Sequence, residues 1–279
     1  MPARKNFSAE LILVCNSLDP GGIERVVATL ANEWGRRGRK VCVITLHDRR
    51  RFYELDPNVH HVVIDRANLN RLADLLRWVA ARLRSEGPPR WWLLRVLAGG
   101  LYQLSYRRLY RAYRAAVYAG EAVLLRRALG RVESPLVVSL GTPINIITLK
   151  ACRGLGRRLV ISERNDPKRL SRFKQWDVLA RKLYNRADLV TANTRRALRD
   201  MSEYVEPSKL AFVPNPLVLP NGHGNGQHAA PAPSETNESA PYILNVGRMV
   251  WDKAQDVLLE AFAQLGGEFE GWRVGVAGE

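Results

Sequence analysis

Short apolar runs alternate with helical stripes along the first part of the chain. Leu11–Cys15 has the length of a buried strand, and apolar residues then recur at helical spacing until Arg36-Arg37-Gly38. Cations followed by glycine are a common helix end. Residues 41–46 and 59–64 are the next apolar runs. Strand, helix and strand at this spacing predict parallel strands joined by right-handed crossovers, with helices on both faces of the sheet.

The same alternation resumes after a long interval and predicts a first α/β domain over residues 8–216. Pro214-Asn215-Pro216 removes backbone donors and is expected to end the sheet. The further elements that we predict are strands at Leu136–Leu140, 159–162, Leu189–Ala192 and 210–213, and helices near 144–151, 176–184 and Arg195–Met201.

A second domain is expected to begin near residue 241. Residues 217–240 are rich in Gly, Pro, Asn, Ser and Ala, which is typical of a flexible linker. The segment 241–279 then contains an apolar run ending in Gly247-Arg248, a helical pattern, and a second apolar run, 272–277. It has about 38 residues, against roughly 100–200 for most domains. We therefore expect the start of a truncated second Rossmann-like domain.

The net charge of +16 favours an anionic partner, whether nucleic acid, a phospholipid surface or a phosphorylated small molecule, although solvated arginines alone would also explain it. No nucleic-acid-binding motif is present, so nucleic acid is not expected as a partner. The three cysteines form no C-x-x-C pair and are expected to be buried thiols. No window reaches roughly 18 apolar residues, and the N-terminal apolar run is short. We expect a cytoplasmic protein that can still contact a membrane surface.

The block 84–131 interrupts the alternation. It contains many arginines and interleaved aromatic residues, and Tyr102, Tyr106, Tyr110 and Tyr113 share one helical face. A basic helix with aromatic anchors suits an anionic headgroup layer. Alternatively, the block is a helical insertion that packs its aromatic side on the domain and leaves its arginines solvated. Both interpretations stay open.

Two glycine turns are candidate anion sites. Gly21 and Gly22 separate the first strand from the first helix, at the edge of a parallel sheet where ligands bind, and free N–H groups at a helix start suit a phosphate. A strand-to-helix turn also contains glycine for geometry alone, and G-x-G-x-x-G is missing. Near the end of the chain, Gly247-Arg248 with Lys253 combines a glycine turn with two cations.

Five segments resemble the family 4 glycosyltransferases, which have the GT-B fold. The clearest is 21–43, which begins with Gly-Gly-Ile-Glu-Arg-Val-Val and ends within the strand sequence Lys-Val-Cys-Val-Ile-Thr. Three more segments are similar to the same N-terminal domain: 137–140 with Asn145, 161–167, and 187–193 leading to 213–216. The fifth, 245–248 with Lys253, is similar to the opening of that fold's second domain.

The resemblance implies transfer of a sugar from a nucleotide-diphosphate sugar to a glycan or lipid-linked acceptor at the cytoplasmic membrane face, with retention of configuration. The donor is a substrate, and neither a cofactor nor a metal is implied. Gly21 and Gly22 would line the cleft near the donor phosphates or the acceptor. Beside Gly247, Arg248 and Lys253 would neutralise the departing diphosphate, because preplaced cations stabilise charge as it develops.

Four polar residues are further candidates. Glu163 and Asn145 are the catalytic candidates, and Asn165 and Asp166 are acceptor-side candidates. A carboxylate after a strand could orient acceptor hydroxyls, but Asn-Asp-Pro is also turn chemistry, and Asn145 could instead cap a helix.

The chain also departs from the family pattern. Many members have a cleft histidine where residues 141–145 have none, and a pair of glutamates in the second domain is absent here. We therefore expect little turnover from this polypeptide alone. A non-catalytic binding module is the alternative.

Overall fold

The computed structural model describes residues 7–47, 52–64, 115–168, 174–217 and 241–278. The chain divides into two compact units, Met1–Val218 and Leu219–Glu279.

The first unit is built on a parallel sheet of seven strands, so the predicted α/β fold with a Rossmann-type sheet is confirmed. A separate parallel pair joins two-residue strands, β1 (Phe7–Ser8) and β5 (Val132–Glu133). The large sheet has the order β4-β3-β2-β6-β7-β8-β9. Its strands are β2 (Leu11–Cys15), β3 (Val41–Thr45), β4 (Val59–Val63), β6 (Leu136–Leu140), β7 (Arg158–Glu163), β8 (Leu189–Ala192) and β9 (Leu210–Phe212).

The core lies on both faces of the central strands. Successive side chains of a strand point to opposite faces. On β2, Ile12 and Val14 accordingly join one buried cluster, whereas Leu13 and Cys15 join another. All five residues of β3 are buried. A strand covered on both faces reads as a continuous apolar run, which is why these strands were visible in the sequence.

Helices cover the sheet. The first helix, α1 (Gly22–Arg36), buries Val26, Val27 and Ala31, and the chain leaves it through Gly38 at a φ of 77°. A second helix, α2, covers the described residues 115–129. The others in this unit are α3 (Thr142–Ala151), α4 (Lys174–Leu183) and α5 (Arg195–Met201).

Helix α2 belongs to the core of the first unit. Leu125 and Leu129 are fully buried, and the ring of Tyr118 lies 4.6 Å from that of Trp176. Residues 115–131, which form the last part of the predicted insertion, therefore pack on the domain, as the second interpretation of that block expects. The tyrosines at 102–113 and the rest of the block lie outside the described residues. Within the described parts, no helix combines the length and the hydropathy of a membrane span.

The prediction of buried thiols is confirmed. Cys15, Cys42 and Cys152 are all unpaired and buried. Burial raises the pKa of Cys42 to about 12 and that of Cys152 to about 11. Neutral thiols of this kind pack as small apolar groups.

The second unit contains a strand, a helix and a parallel strand. These are β10 (Tyr242–Val246), α6 (Gln255–Gln264) and β11 (Arg273–Ala277). Apolar side chains remain open on this unit: Leu244 is 56% exposed and Val246 is 74% exposed.

Candidate active site

The order of the strands reverses between β2 and β6. From β2 the chain adds β3 and β4 on one side, and then β6 to β9 follow on the other side. In an open parallel sheet, the loops on either side of such a reversal diverge, and the crevice between them at the carboxyl ends of the strands is the usual ligand site. The turns that follow β2 and β6 therefore frame the candidate site of the first unit.

The turn after β2 brings Gly21 and Gly22 to this crevice. Gly21 precedes the first residue of α1, and its carbonyl oxygen accepts hydrogen bonds from Arg25 N (3.0 Å) and from the hydroxyl of Tyr53 (3.1 Å). A Cβ on Gly21 would collide with the carboxylate of Glu24, whereas a Cβ on Gly22 would meet no atom within 4 Å. The open space at Gly22 is what close approach of a ligand to the backbone requires. Glu24 already places an anionic group in the first turn of α1, beside Gly21.

The turn after β6 lies against the first turn of α1. Gly141 has a left-handed φ of 89°, and a Cβ there would lie 2.9 Å from Cδ1 of Ile23. Glycine is therefore required for both conformation and space. Helix α3 begins directly after it at Thr142, with Pro143 in its first turn. Residues 141–145, where the family resemblance led us to expect a histidine loop, are mostly the start of this helix.

Glu163 ends β7 one strand further along and is 1% exposed. Its Oε2 accepts hydrogen bonds from Thr142 Oγ1 and from the Tyr184 hydroxyl, both at 2.8 Å. Its Oε1 accepts from the backbone N–H groups of Arg164 (2.9 Å) and Asn165 (3.1 Å). An ionised carboxylate has about four lone-pair sites. All of them are occupied, so Glu163 has no site left for a substrate hydroxyl in this conformation.

Burial dominates the electrostatics of this carboxyl group. It raises the pKa of Glu163, against the four hydrogen bonds, which lower it. Burial and the neighbouring Glu163 also raise the pKa of Tyr184, so its hydroxyl stays protonated and donates. The geometry supports a positioning role, in which Glu163 ties the start of α3 to the end of β7. Its catalytic role stays a prediction.

Asn145 belongs to the same network. Its Oδ1 accepts from Ser139 Oγ (2.8 Å), and its Nδ2 donates to Ser162 O (3.1 Å) and to the Tyr184 hydroxyl (3.4 Å). The capping alternative for Asn145 is wrong, because Gly141 occupies the N-cap position of α3. Asn145 is completely buried, and direct contact with an acceptor stays untested.

Asn165 and Asp166 form the turn that follows β7. Asp166 Oδ1 accepts from the backbone N–H of Lys168 at 2.9 Å, which is the turn chemistry considered for this segment. The side chain of Asn165 is exposed. Arg164, which the sequence did not single out, donates from Nη1 to Asn215 Oδ1 (2.7 Å) and to Val213 O (3.3 Å). It thereby joins the loops after β7 and β9, and no local sequence signal could have identified these partners.

The second unit gathers its own candidates around the ends of its two strands. The Gly247 N–H donates to Ala277 O at 2.9 Å, and a Cβ on Gly278 would collide with the Gly247 carbonyl oxygen. The two glycine turns therefore lie in contact. A Cβ on Gly247 would lie 3.9 Å from the Lys253 side chain, so these two residues are brought together. Arg248 and Lys253 are both exposed, as cations that meet a diphosphate must be.

The described residues contain no group of three or more His, Cys, Asp or Glu side chains that could hold a metal ion.

The first unit has a parallel sheet whose strand order reverses beside glycine turns, and a strand–helix–strand unit follows it. The GT-B glycosyltransferases have this arrangement. The chain belongs to the glycosyl transferase 4-like domain family, whose model matches residues 21–216. The search of curated proteins found no significant match to the chain.

Solved structures agree with this fold. HepE of Anabaena, crystallised with UDP and glucose, has a TM-score of 0.54 at 15% identity, over 96% of this chain and 61% of that chain. Sucrose-phosphate synthase of Thermosynechococcus elongatus has a TM-score of 0.59 at 12% identity, over 98% and 62% of the two chains. An α,α-trehalose 6-phosphate synthase of Burkholderia multivorans has a TM-score of 0.56 at 18% identity, over 96% of this chain and 64% of that chain. Identities this low establish the fold alone, and the chain spans less than two thirds of each of these proteins.

Proposed function

We propose that this chain is part of a glycosyltransferase that moves a sugar from a nucleotide-diphosphate sugar to an acceptor. The observation that carries the proposal is the coincidence of three features. The strand order reverses between β2 and β6, Gly22 leaves open space at that point, and the Gly141 turn closes against the start of α1. HepE, which has the same fold, is described with UDP and glucose bound.

In the proposed reaction, Gly21 and Gly22 allow the substrate to approach the backbone, and Arg248 and Lys253 neutralise the departing diphosphate. Negative charge develops on the nucleotide as the glycosidic bond breaks, and fixed cations stabilise that charge without a metal. The transfer proceeds with retention of the anomeric configuration. Asn165 and Asp166, on the turn beside the buried Glu163 network, contact the acceptor.

We further propose a glycan or lipid-linked acceptor, in polysaccharide or glycolipid synthesis at the cytoplasmic membrane face. The support is the net charge of +16, which attracts the protein to anionic lipids. The domains in this proposal are a transferase domain at 8–216, a linker at 217–240 and the start of a donor-binding domain at 241–279.

Nucleotide-sugar binding to the chain tests the donor assignment. Titration calorimetry with UDP-glucose and a panel of other nucleotide sugars comes first. With the best donor, R248Q and K253Q should each weaken binding by about tenfold or more, the usual worth of a charge-assisted hydrogen bond to phosphate. R273Q is the matched control, because Arg273 is an exposed cation at the opposite end of β11. Equal losses in all three variants, or binding of no donor, would contradict the proposal.

The crevice of the first unit needs its own variants. G22V adds a branched side chain where the fold has room, and it should weaken binding of donor or acceptor while leaving the melting temperature nearly unchanged. G130A is the control, because a Cβ there meets only ordinary contacts at 3.5 Å. Unchanged binding in G22V would argue against a ligand at this turn and would favour the non-catalytic module.

A further inference from the structure

A cavity opens at the edge of the sheet opposite to the crevice. It lies at the amino ends of β7 and β8, beside the C-terminal end of α3, and has a volume of about 340 Å³. Three arginines, Arg153, Arg157 and Arg186, line it together with one carboxylate, that of Asp188. The remaining lining is largely apolar and includes Leu149 and Leu159. A volume of this size is at the lower end of those that hold small-molecule ligands.

These three arginines form no ion pair with any carboxylate in the described parts of the chain. The contrast with the end of α1 is direct, because Arg36 and Arg37 both pair with Glu33 there. Asp188 can offset at most one of the three positive charges, and its Oδ2 already accepts from the Leu159 N–H at 2.7 Å. The cavity therefore keeps a surplus of positive charge.

The carbonyl groups at the end of α3 are not what holds the three arginines at the cavity. Arg126, which does not line the cavity, already donates from Nη1 to Ala151 O (3.0 Å) and Arg153 O (2.6 Å). Arg157 donates from Nη2 to Leu129 O (2.9 Å) and Val132 O (2.8 Å), which fixes its guanidinium group in place. Its Nη1 is buried and has no partner among the described residues. Arg157 is thus a rigid cation that no anionic side chain compensates.

We propose that this cavity binds a phosphate-bearing group, either on a free small molecule or on a phospholipid headgroup. The planar fork of arginine suits phosphate oxygens, and Arg153 and Arg186 are exposed and able to close on a ligand held beside Arg157. Gly154 and Gly156 have φ values of 73° and 66°, and a Cβ on either would meet no atom within 4 Å. The backbone of this turn is therefore open where it lines the cavity. This site does not depend on sugar transfer.

Titration of the whole chain with pyrophosphate, followed by amide chemical shifts, tests the site. Saturable shifts at Gly154 and Gly156 are expected, and these separate the cavity from the Gly247 turn. The double variant R153Q/R186Q should weaken this binding by about tenfold or more. R36Q/R37Q removes the same charge from the end of α1. It should change the pyrophosphate affinity by no more than about twofold, because salt screens exposed charges that lie far from the cavity. Both pairs of arginines are exposed, so the variants are expected to fold.

Vesicles separate the two sources of the phosphate group. Sedimentation with vesicles of equal parts phosphatidylcholine and phosphatidylglycerol, against pure phosphatidylcholine, gives the membrane arm. Vesicle binding that is lost in R153Q/R186Q and kept in R36Q/R37Q identifies a headgroup, and pyrophosphate binding alone identifies a free ligand. Equal weakening in the two double variants would mean general surface charge and would overturn the proposal. The absence of both saturable shifts and anionic-vesicle binding would overturn it too.

Discussion

Replacing Glu163 with alanine is expected to destabilise the first unit far more than replacing it with glutamine. Alanine leaves four donors without an acceptor, and the two backbone N–H groups among them cannot turn elsewhere. Each buried donor left unsatisfied costs about 1–3 kcal/mol. Part of this is offset because the buried carboxylate no longer has to be desolvated. We therefore expect E163A to lower the free energy of unfolding by about 3–5 kcal/mol, which is less than the full sum of those costs.

Glutamine can keep most of these contacts. Its carbonyl oxygen can accept from the N–H groups of Arg164 and Asn165, and its amide can donate to the hydroxyl oxygens of Thr142 and Tyr184, because a hydroxyl both donates and accepts. E163Q is thus expected to cost only about 1 kcal/mol, since both backbone N–H groups keep an acceptor and both hydroxyl groups stay hydrogen-bonded, now as acceptors.

Urea denaturation followed by far-UV circular dichroism measures the difference. With a slope of about 2–3 kcal/mol per molar urea, E163A should lower the midpoint by roughly 1–2 M, and E163Q by a few tenths. If the two variants are equally harmful, side-chain packing rather than hydrogen bonding stabilises this site. A loss below about 1 kcal/mol in E163A would refute the network argument outright.

The pH dependence gives a second check on the same residue. Burial raises the pKa of Glu163 in the folded state above its ordinary value of 4.5. The folded state therefore binds this proton more tightly, and the resulting stability is fully present below the unfolded pKa and lost as pH rises through the folded pKa. As pH falls from 7 toward 4.5, the free energy of unfolding of the unmutated protein should thus rise relative to that of E163Q. A shift in the other direction would mean that hydrogen bonds outweigh burial.

Three further perturbations follow from the fold. G141A places a Cβ at a left-handed φ and 2.9 Å from a methyl group of Ile23, so it should lower the free energy of unfolding by about 1–3 kcal/mol in urea denaturation. G22A is the control and should change that free energy by less than about 0.5 kcal/mol. Similar values for the two variants would contradict the close contact at Gly141. T194A removes the Oγ1 that accepts from the third N–H of α5, so thermal melts should show a loss of about 1 kcal/mol that serine restores. Because burial raises the pKa of Cys42 to about 12, Cys42 should react with a disulfide reagent at pH 8 only after urea unfolds the chain; rapid reaction in the folded state would show that the site opens.

Strand positions were predictable because the sheet is buried on both faces. Leu136–Leu140 and Leu189–Ala192 were predicted with the bounds that the structure has, since each is an apolar run interrupted by a single hydroxyl residue. The two-residue strands Phe7–Ser8 and Val132–Glu133 were missed, because a pair that short has no periodicity. Local pattern therefore identifies the strands that build the core and misses those that only close an edge.

The candidate site was predictable only in outline. Gly21 and Gly22 were identified because the turn after a first strand faces the ligand edge in any parallel sheet. The partnership of Glu163 and Asn145 was not predicted, because their common partner, Tyr184, appeared as one more apolar position in a helical stripe. Its hydroxyl meets Glu163 only once β7 and the turn that follows α4 are packed together, and no spacing along the chain encodes that contact.

The pairing of β2 with β6 has a consequence for how the protein forms. Ile12 pairs with Val137, so this contact joins segments that leave the ribosome far apart in time. During synthesis β2 can pair with β3 at once, but its other edge must wait, with N–H and C=O groups exposed to unwanted pairing. Closing so long a loop is slow, because folding rates fall as the sequence separation between contacting residues increases. The β2–β6 seam is also the one beside which the candidate site lies, so a nascent chain cannot assemble that crevice before β6 has been synthesised.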